Sequence, residues 1–137
     1  MATTEAFVKR DEMIAIVNGL VDAELVNIKS IRKNARGMDY GEESYPSLII
    51  DIVGSDNVQN ASVYAELDST YNFILMDYLD DFQDDEAIDT KKKALHIDVK
   101  TISDAVIDFG QVVGNTEFAE LTDGSNIVTA IAWTIKR

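Results

Sequence analysis

The sequence contains no cysteine, a single proline and a single histidine. Without cysteine the chain can form no disulfide and offers no thiolate to a metal ion. The one histidine, His96, cannot supply the several imidazoles of a nitrogen-ligated metal site, and a Ser-His-Asp triad has no sequence support around it. We therefore expect His96 to lie on the flank of a helix without a chemical role.

Long apolar runs are also absent. No segment approaches the roughly 18 consecutive apolar residues of a membrane-spanning helix, and residues 1–10 are too polar for a secretory signal. The 137 residues, 46% of them hydrophobic, are enough to bury one core. These features predict a soluble protein that is not exported through a signal peptide and that forms one domain over residues 1–137.

Positive charge is missing from the middle of the chain. No Lys or Arg occurs between Gly37 and Thr90, where fourteen Asp and Glu residues fall, and the net charge is −13 at pH 7. The bases are concentrated in residues 29–36 and 91–93 and near the C-terminus. Binding to a nucleic acid backbone needs a basic surface, so we expect most of this surface to repel nucleic acid. Basic patches on other proteins, or a second copy of the chain, are the expected partners.

The longest regular pattern of apolar residues covers residues 84–113. Its apolar positions recur at helical spacing and form one stripe: Ile88, Leu95, Val99, Ile102, Val106, Phe109 and Val113. Carboxylates occupy the expected first turn, where they interact favourably with the positive end of the helix dipole. The pattern predicts a long central helix that ends at Gly114 and Asn115.

A first helix is predicted before it, capped by Thr3 or Thr4 and closed by Gly37. Its apolar stripe runs from Phe7 through Ile14, Val17, Val21, Leu25 and Ile28 to Ile31. The basic residues 29–36 are expected in its last turns, where cations meet the negative end of the dipole.

Five strands are predicted between and after these helices. Residues 48–53, 58–67 and 71–79 are β-rich runs with short links, which predicts an antiparallel meander. Residues 116–121 and 126–135 flank an Asp-Gly turn at 122–125 and predict a C-terminal hairpin. The fold class is therefore α+β, with a mainly antiparallel sheet packed by an N-terminal helix and a long central helix.

The acidic run of residues 77–89 suggests a cation site, because calcium and magnesium prefer several carboxylate oxygens. An EF-hand loop needs glycine at its sixth position, but the sixth residue from Asp80 is Asp85. We interpret the run as the solvated start of the following helix. Phosphate-binding loops are not indicated either, since Gly110 and Gly114 are at the end of the predicted helix, whereas a phosphate site would be at the start of one.

Two further carboxylates, Asp51 and Asp77, lie inside hydrophobic strands, where a lone carboxylate is costly unless it is paired or faces water. With Asp89 and Lys91 they could make a metal-dependent nuclease site, but residues 89 and 91 are predicted on a helix. An Asp at a sheet edge or paired in an interface is the favoured interpretation. The sequence thus predicts a protein that is not an enzyme, with no catalytic, cofactor-binding or metal-binding residues and no cofactor.

The order of elements resembles that of the tail-terminator family of long-tailed bacteriophages. The similarity covers nearly the whole chain in layout and length: a helix, a meander, a helix after an acidic link, and a terminal hairpin that ends with residues 127–135. It implies a hexameric ring at the head-proximal end of the tail, which stops tube growth and docks the tail to the head connector. The family has no catalytic residues to transfer.

That resemblance also implies partners and a location. A ring subunit contacts copies of itself, the tail tube or sheath, and head-completion proteins, while DNA passes through the lumen without specific binding. Its place is the tail or neck of the virion after synthesis in the host cytoplasm. The acidic composition fits a lumen that does not hold DNA, but it fits equally an acidic DNA mimic that inhibits a DNA-binding protein.

Overall fold

The computed structural model describes residues 2–34, 42–55, 69–79 and 84–136. Within them the chain forms two α-helices and one five-stranded sheet, which confirms the α+β prediction. Neither of these helices is long and apolar enough to cross a membrane. The elements are α1 Ala2–Asp22, β1 Ser30–Arg32, β2 Ser47–Ser55, β3 Ser69–Tyr78, α2 Asp85–Ala105, β4 Gln111–Asp123 and β5 Asn126–Lys136.

The sheet has the strand order β1-β2-β3-β5-β4. β1 runs parallel to β2, and the other neighbouring pairs are antiparallel. β2 pairs directly with β3, with Leu48 opposite Leu75, so the first and third strands of the predicted meander lie side by side. The strand predicted at residues 58–67 lies outside the described residues. β4 and β5 form the predicted C-terminal hairpin, with Gly124 in the left-handed region at the turn (φ 63°).

Both helices lie on one face of the sheet. α1 packs over β2, and α2 packs over β3 and β5. The main core joins Met13 and Val17 of α1 and Leu95, Val99 and Ile102 of α2 to the strands. The strand residues of this core include Leu48, Ile50, Phe73, Leu75, Ile131 and Trp133. A smaller cluster on the opposite face consists of Tyr45, Ile49, Met76, Val128 and Ala130, and none of its buried members belongs to a helix.

The predicted first helix is too long at its C-terminus and wrong at its N-cap. α1 begins at Ala2, so Thr3 and Thr4 lie within it, and it ends at Asp22. The Leu25 amide donates to the Leu20 carbonyl, and the Glu24 amide donates to the Val21 carbonyl. These two bonds form the Schellman motif, which ends a helix with a residue in the left-handed conformation. The left-handed residue here is Glu24 (φ 60°).

The apolar residues beyond this turn keep a helical spacing but are not helical. Val26 and Ile28 are buried two residues apart in the irregular segment between α1 and β1, whereas Leu25 is 60% exposed. Ile31 lies in β1, which pairs with β2, so the basic residues at 29, 32 and 33 flank a strand instead of a helix end. Backbone pairing with β2 gives this segment tertiary hydrogen bonds that spacing in the sequence does not reveal. Gly37, the predicted stop, lies outside the described residues.

The central helix is shorter than predicted as well. Its start is as expected, with the Asp84 carboxylate accepting the Ala87 amide (2.8 Å), but α2 ends at Ala105 and Val113 lies in β4. Gly110 allows the chain to pass close to the end of β5, because a Cβ at this position would lie 2.7 Å from the Lys136 carbonyl oxygen. β4 consequently starts at Gln111, before the predicted residue 116, and has 13 residues.

Candidate functional site

The strand carboxylates Asp51 and Asp77 do not meet in the structure. Successive side chains of a strand point to opposite faces. Asp77 is two residues from Leu75, which belongs to the helix-side core, whereas Asp51 follows Ile50 of that core and therefore points to the other face. Asp51 lies opposite Asn72, about 16 Å along β3 from Asp77. These two residues cannot ligate one metal ion.

Asp77 lies half-buried beside the start of α2. Burial raises the pKa of its carboxyl group above the ordinary value, and the nearby Lys91 ammonium opposes that shift. The Asp77 carboxylate accepts the Tyr78 amide (2.8 Å), and the Lys91 ammonium donates to the Tyr78 carbonyl oxygen. Lys91 thus connects α2 to the end of β3 and places its positive charge near the Asp77 carboxylate.

The remaining acidic residues do not converge on one point. Among the residues that the structure describes, no three His, Cys, Asp or Glu side chains are grouped closely enough to hold a metal ion. Asp84 acts as the N-cap of α2, and Asp85 and Glu86 occupy its exposed first turn. Asp80 and Asp81 lie outside the described residues.

The most distinctive exposed surface is β4, the outermost strand on one side of the sheet. Among the described strands it pairs only with β5, so its other edge meets no described strand. Large apolar side chains are exposed on it: Val112, Val113, Phe118 and Leu121. α1 packs on β2 and α2 on β3 and β5, and α2 also reaches β4 where Lys92 and His96 lie beside the Phe118 ring. An outermost strand with exposed apolar side chains is typical of an interface.

A groove of about 630 Å³ lies between α2 and β4. Its apolar part is formed by Phe118 and Ile97, the latter 64% exposed, and Lys92, Lys93 and His96 surround it on α2. The Lys92 ammonium lies 5.8 Å from the centre of the Phe118 ring, and the His96 ring centre lies 6.5 Å from it. Asp89 also lines the groove, so charges of both signs border its apolar floor. His96 is a helix-flank residue, as predicted.

A buried polar network joins the two outermost strands across the sheet face opposite the helices. The Arg32 guanidinium of β1 makes two bonds to the Asp123 carboxylate at the end of β4 (3.1 and 2.8 Å). The Tyr45 hydroxyl donates to Asp123 (2.5 Å) and accepts from the Asn126 amide (3.1 Å). Burial and the bond to Asp123 raise the pKa of Tyr45 to about 12. Because these polar groups are bonded to one another and closed off from solvent, the network stabilises the fold and offers no reactive group.

The two sides of the sheet differ in exposed charge. β4 carries Glu117 and Glu120 in exposed positions. Lys29 and Lys33, on either side of β1, are exposed, and Lys33 forms an ion pair with Asp11 of α1 (3.1 Å). One outer strand thus carries two exposed carboxylates, and the other is flanked by two exposed ammonium groups, of which Lys33 is already paired with Asp11.

Sequence reasoning missed both the groove and the network. The groove depends on residues 92–97 of α2 facing Phe118 of β4, and the network joins residues 91 positions apart in the chain. The exposed strand could have been recognised from residues 111–121, where apolar residues occupy both even and odd positions. In a strand this pattern places apolar side chains on both faces.

No protein-family model matches this chain, and a search of curated proteins finds no significant match.

Proposed function

We propose that this protein is a structural subunit of a phage tail, a tail terminator that assembles into a ring, ends growth of the tail tube and docks the tail to the head connector. The observation that carries the self-assembly part is the open strand β4, with exposed apolar residues on a 13-residue edge. The assignment to tails rests on the layout of the elements, which resembles that family. The proposed location is the tail or neck of the virion.

A ring needs a contact between two different surfaces of the subunit, with a rotation that closes. β4, with exposed Glu117 and Glu120, and the surface beside β1, with exposed Lys29, are two different surfaces at the outermost strands of the sheet. A hexamer is the ring size that the resemblance implies. The net charge of −13 supports a lumen through which DNA passes without being held, because a basic lumen would neutralise phosphates and bind them.

Electron microscopy of the protein mixed with purified tail tubes tests this function. We expect one ring at one end of each tube and no further elongation when free tube subunits are added. Tubes incubated without the protein are the control and should keep growing. Tubes that stay uncapped and elongate in the presence of the protein would overturn the tail-terminator proposal.

An acidic DNA mimic is the second candidate, and the absence of Lys and Arg between Gly37 and Thr90 favours it. A mimic occupies the basic groove of a nuclease or repressor, so it should bind such a protein tightly in low salt and release it in high salt. It should also be a monomer or dimer. The genes on either side distinguish the candidates: tail and head-completion genes support the ring, and inhibitors of host defence support the mimic.

A further inference from the structure

Two of the seven glycines follow a residue whose side chain can react with the glycine amide: Asn18-Gly19 in α1 and Asp123-Gly124 at the turn between β4 and β5. Because glycine has no Cβ, its amide nitrogen can approach the preceding side-chain carbon closely. A new C–N bond closes a succinimide ring, and the amide hydrogen leaves with the aspartic acid hydroxyl as water, or with the asparagine NH2 as ammonia. Water then opens the ring at either carbonyl, and one of the two products is isoaspartate.

The fold restrains these two dipeptides by different means. Asn18 and Gly19 lie within α1, and the Gly19 amide is therefore bonded to the carbonyl four residues earlier. A nitrogen whose hydrogen is held in this bond is hindered from attack, although the Asn18 side chain itself is exposed. Asp123 is the last residue of β4, and Gly124 follows it in the left-handed conformation (φ 63°). This second dipeptide lies at a turn and not in a helix, so its protection depends on what holds the Asp123 side chain.

The carboxylate of Asp123 is held at both of its oxygens. The Arg32 guanidinium donates to one oxygen at 3.1 Å and to the other at 2.8 Å, and the Tyr45 hydroxyl donates to the second at 2.5 Å. The whole residue is 6% exposed. To close the ring, the carboxyl carbon must turn onto the Gly124 nitrogen, which pulls the oxygens away from Arg32 and leaves the guanidinium buried without its carboxylate. Ring closure therefore requires that this network open first.

We infer that Arg32 and Tyr45 keep the Asp123-Gly124 turn chemically intact, and that Asp123 becomes a site of isoaspartate formation when this network opens. Isoaspartate takes the main chain through the side-chain carbon, which adds one backbone atom to a tight turn between paired strands. Its free carboxyl group is attached directly to Cα, one carbon shorter than the aspartate side chain that Arg32 binds. The network thus serves two purposes, because it stabilises the fold and prevents a covalent change in the hairpin.

Prolonged incubation at neutral pH, followed by enzymatic methylation of isoaspartyl residues and peptide mass spectrometry, measures this reaction at Asp123 and deamidation at Asn18. In the folded protein we expect Asp123 to react at least about a hundred times more slowly than in urea, because a buried network opens only rarely. Tyr45→Phe should accelerate the reaction roughly tenfold, since it removes one hydrogen bond to a charged group. Arg32→Met should accelerate it further, because it removes two such bonds.

Asn18 is the internal control, because its protection depends on α1 and not on the network, so it should react as slowly in both folded variants as in the unmodified protein. Lys33→Ala, which breaks the exposed pair with Asp11, should leave both rates unchanged. Folded protein that reacts at Asp123 as fast as protein in urea would overturn the protective role of the network. The same conclusion would follow if neither variant accelerated the reaction. It would also follow if Asn18 and Asp123 accelerated equally in both variants, because unfolding of the whole chain would then be the cause.

Discussion

At the scale of single residues, the structure separates charges that stabilise the fold from charges that strain it. The Arg32–Asp123 pair is buried, doubly bonded and joined by Tyr45. The exposed Lys33–Asp11 pair has similar length but lies in water. Asp77 is half-buried with a raised pKa. The contribution of each of these charges to the stability of the fold depends more on its burial than on the distance to its partner.

Asp123→Ala should destabilise the protein by about 3–5 kcal/mol, because it leaves the Arg32 guanidinium buried without its carboxylate. Lys33→Ala is the matched control and should cost at most about 1 kcal/mol, since the pair it breaks is exposed. Urea denaturation measures both. Equal costs for the two substitutions would show that the network does not hold the two sides of the sheet together.

Asp77→Asn should stabilise the protein at pH 7. Folding raises the pKa of Asp77 above its ordinary value of 3.8. The folded state therefore binds the proton more tightly than the unfolded state does. The protein is accordingly most stable, with respect to this group, below pH 3.8, and it loses that stability as the pH rises through the pKa of the folded state. The Asn carbonyl can still accept the Tyr78 amide. The stability gained by Asp77→Asn should disappear below pH 3.8, where Asp77 is itself protonated. In a Lys91→Met background the gain at pH 7 should be larger, because the ammonium that partly offsets the cost of burying the Asp77 charge is absent.

Thermal unfolding of the unmodified protein and of the Asp77→Asn variant across this pH range measures the effect. A gain of equal size at every pH would mean that shape, and not ionisation, is responsible.

At the scale of elements, the ends of the two helices determine where the sheet begins. α1 stops at a left-handed Glu24, and α2 gives way to β4 after Gly110. In both places the helix ends although apolar residues continue to recur at helical spacing in the sequence. Because α2 ends at Ala105, β4 can begin as early as Gln111, which accounts for its length.

Glu24→Gly should raise the melting temperature by about 2–4 °C, because glycine relieves roughly 1 kcal/mol of left-handed strain at the end of α1. Glu24→Ala removes the same carboxylate but keeps a Cβ, and it should give no gain. Differential scanning calorimetry distinguishes them. A rise of similar size in both variants would assign the effect to charge instead of backbone conformation.

Ile102→Asp should abolish cooperative folding, since Ile102 of α2 is fully buried in the main core and the substitution buries an unpaired charge. Ile97→Asp, five residues earlier on the exposed face of the same helix, is the control and should fold normally. Circular dichroism during heating reports both. A sharp native transition in Ile102→Asp would remove α2 from the core.

At the scale of the whole molecule, the two helices pack on β2, β3 and β5, α2 lies beside β4 at Phe118, and several large apolar side chains of β4 are exposed. The proposed ring would depend on ionic strength to the extent that exposed charged residues form the contact between its subunits.

If exposed charges form the contact, assembly of the unmodified protein should weaken as salt rises, because salt screens their attraction, with a screening length of about 10 Å at 0.1 M. Sedimentation velocity at several salt concentrations measures this. Phe118→Ser should weaken assembly at every salt concentration, since it removes apolar contact without changing charge. Assembly that strengthens with salt would assign the contact to apolar surface alone.

The sequence by itself determined the α+β class, the start of α2 at its acidic turn, and the C-terminal hairpin. Each depends on neighbours in the chain: the helical stripe of Leu95, Val99 and Ile102, the cap at Asp84, and the Asp-Gly turn at residue 124. Such short-range interactions are readable as local patterns.

Tertiary structure alone decided the rest. Helical spacing continued past Asp22 and Ala105, but pairing of residues 30–32 with β2 and of residues 111–113 with β5 placed those segments in the sheet. The opposite faces of Asp51 and Asp77, the Arg32–Asp123 pair and the groove beside Phe118 depend on strand order and register. Those are set by contacts between residues far apart in the chain, whose energies no local spacing records.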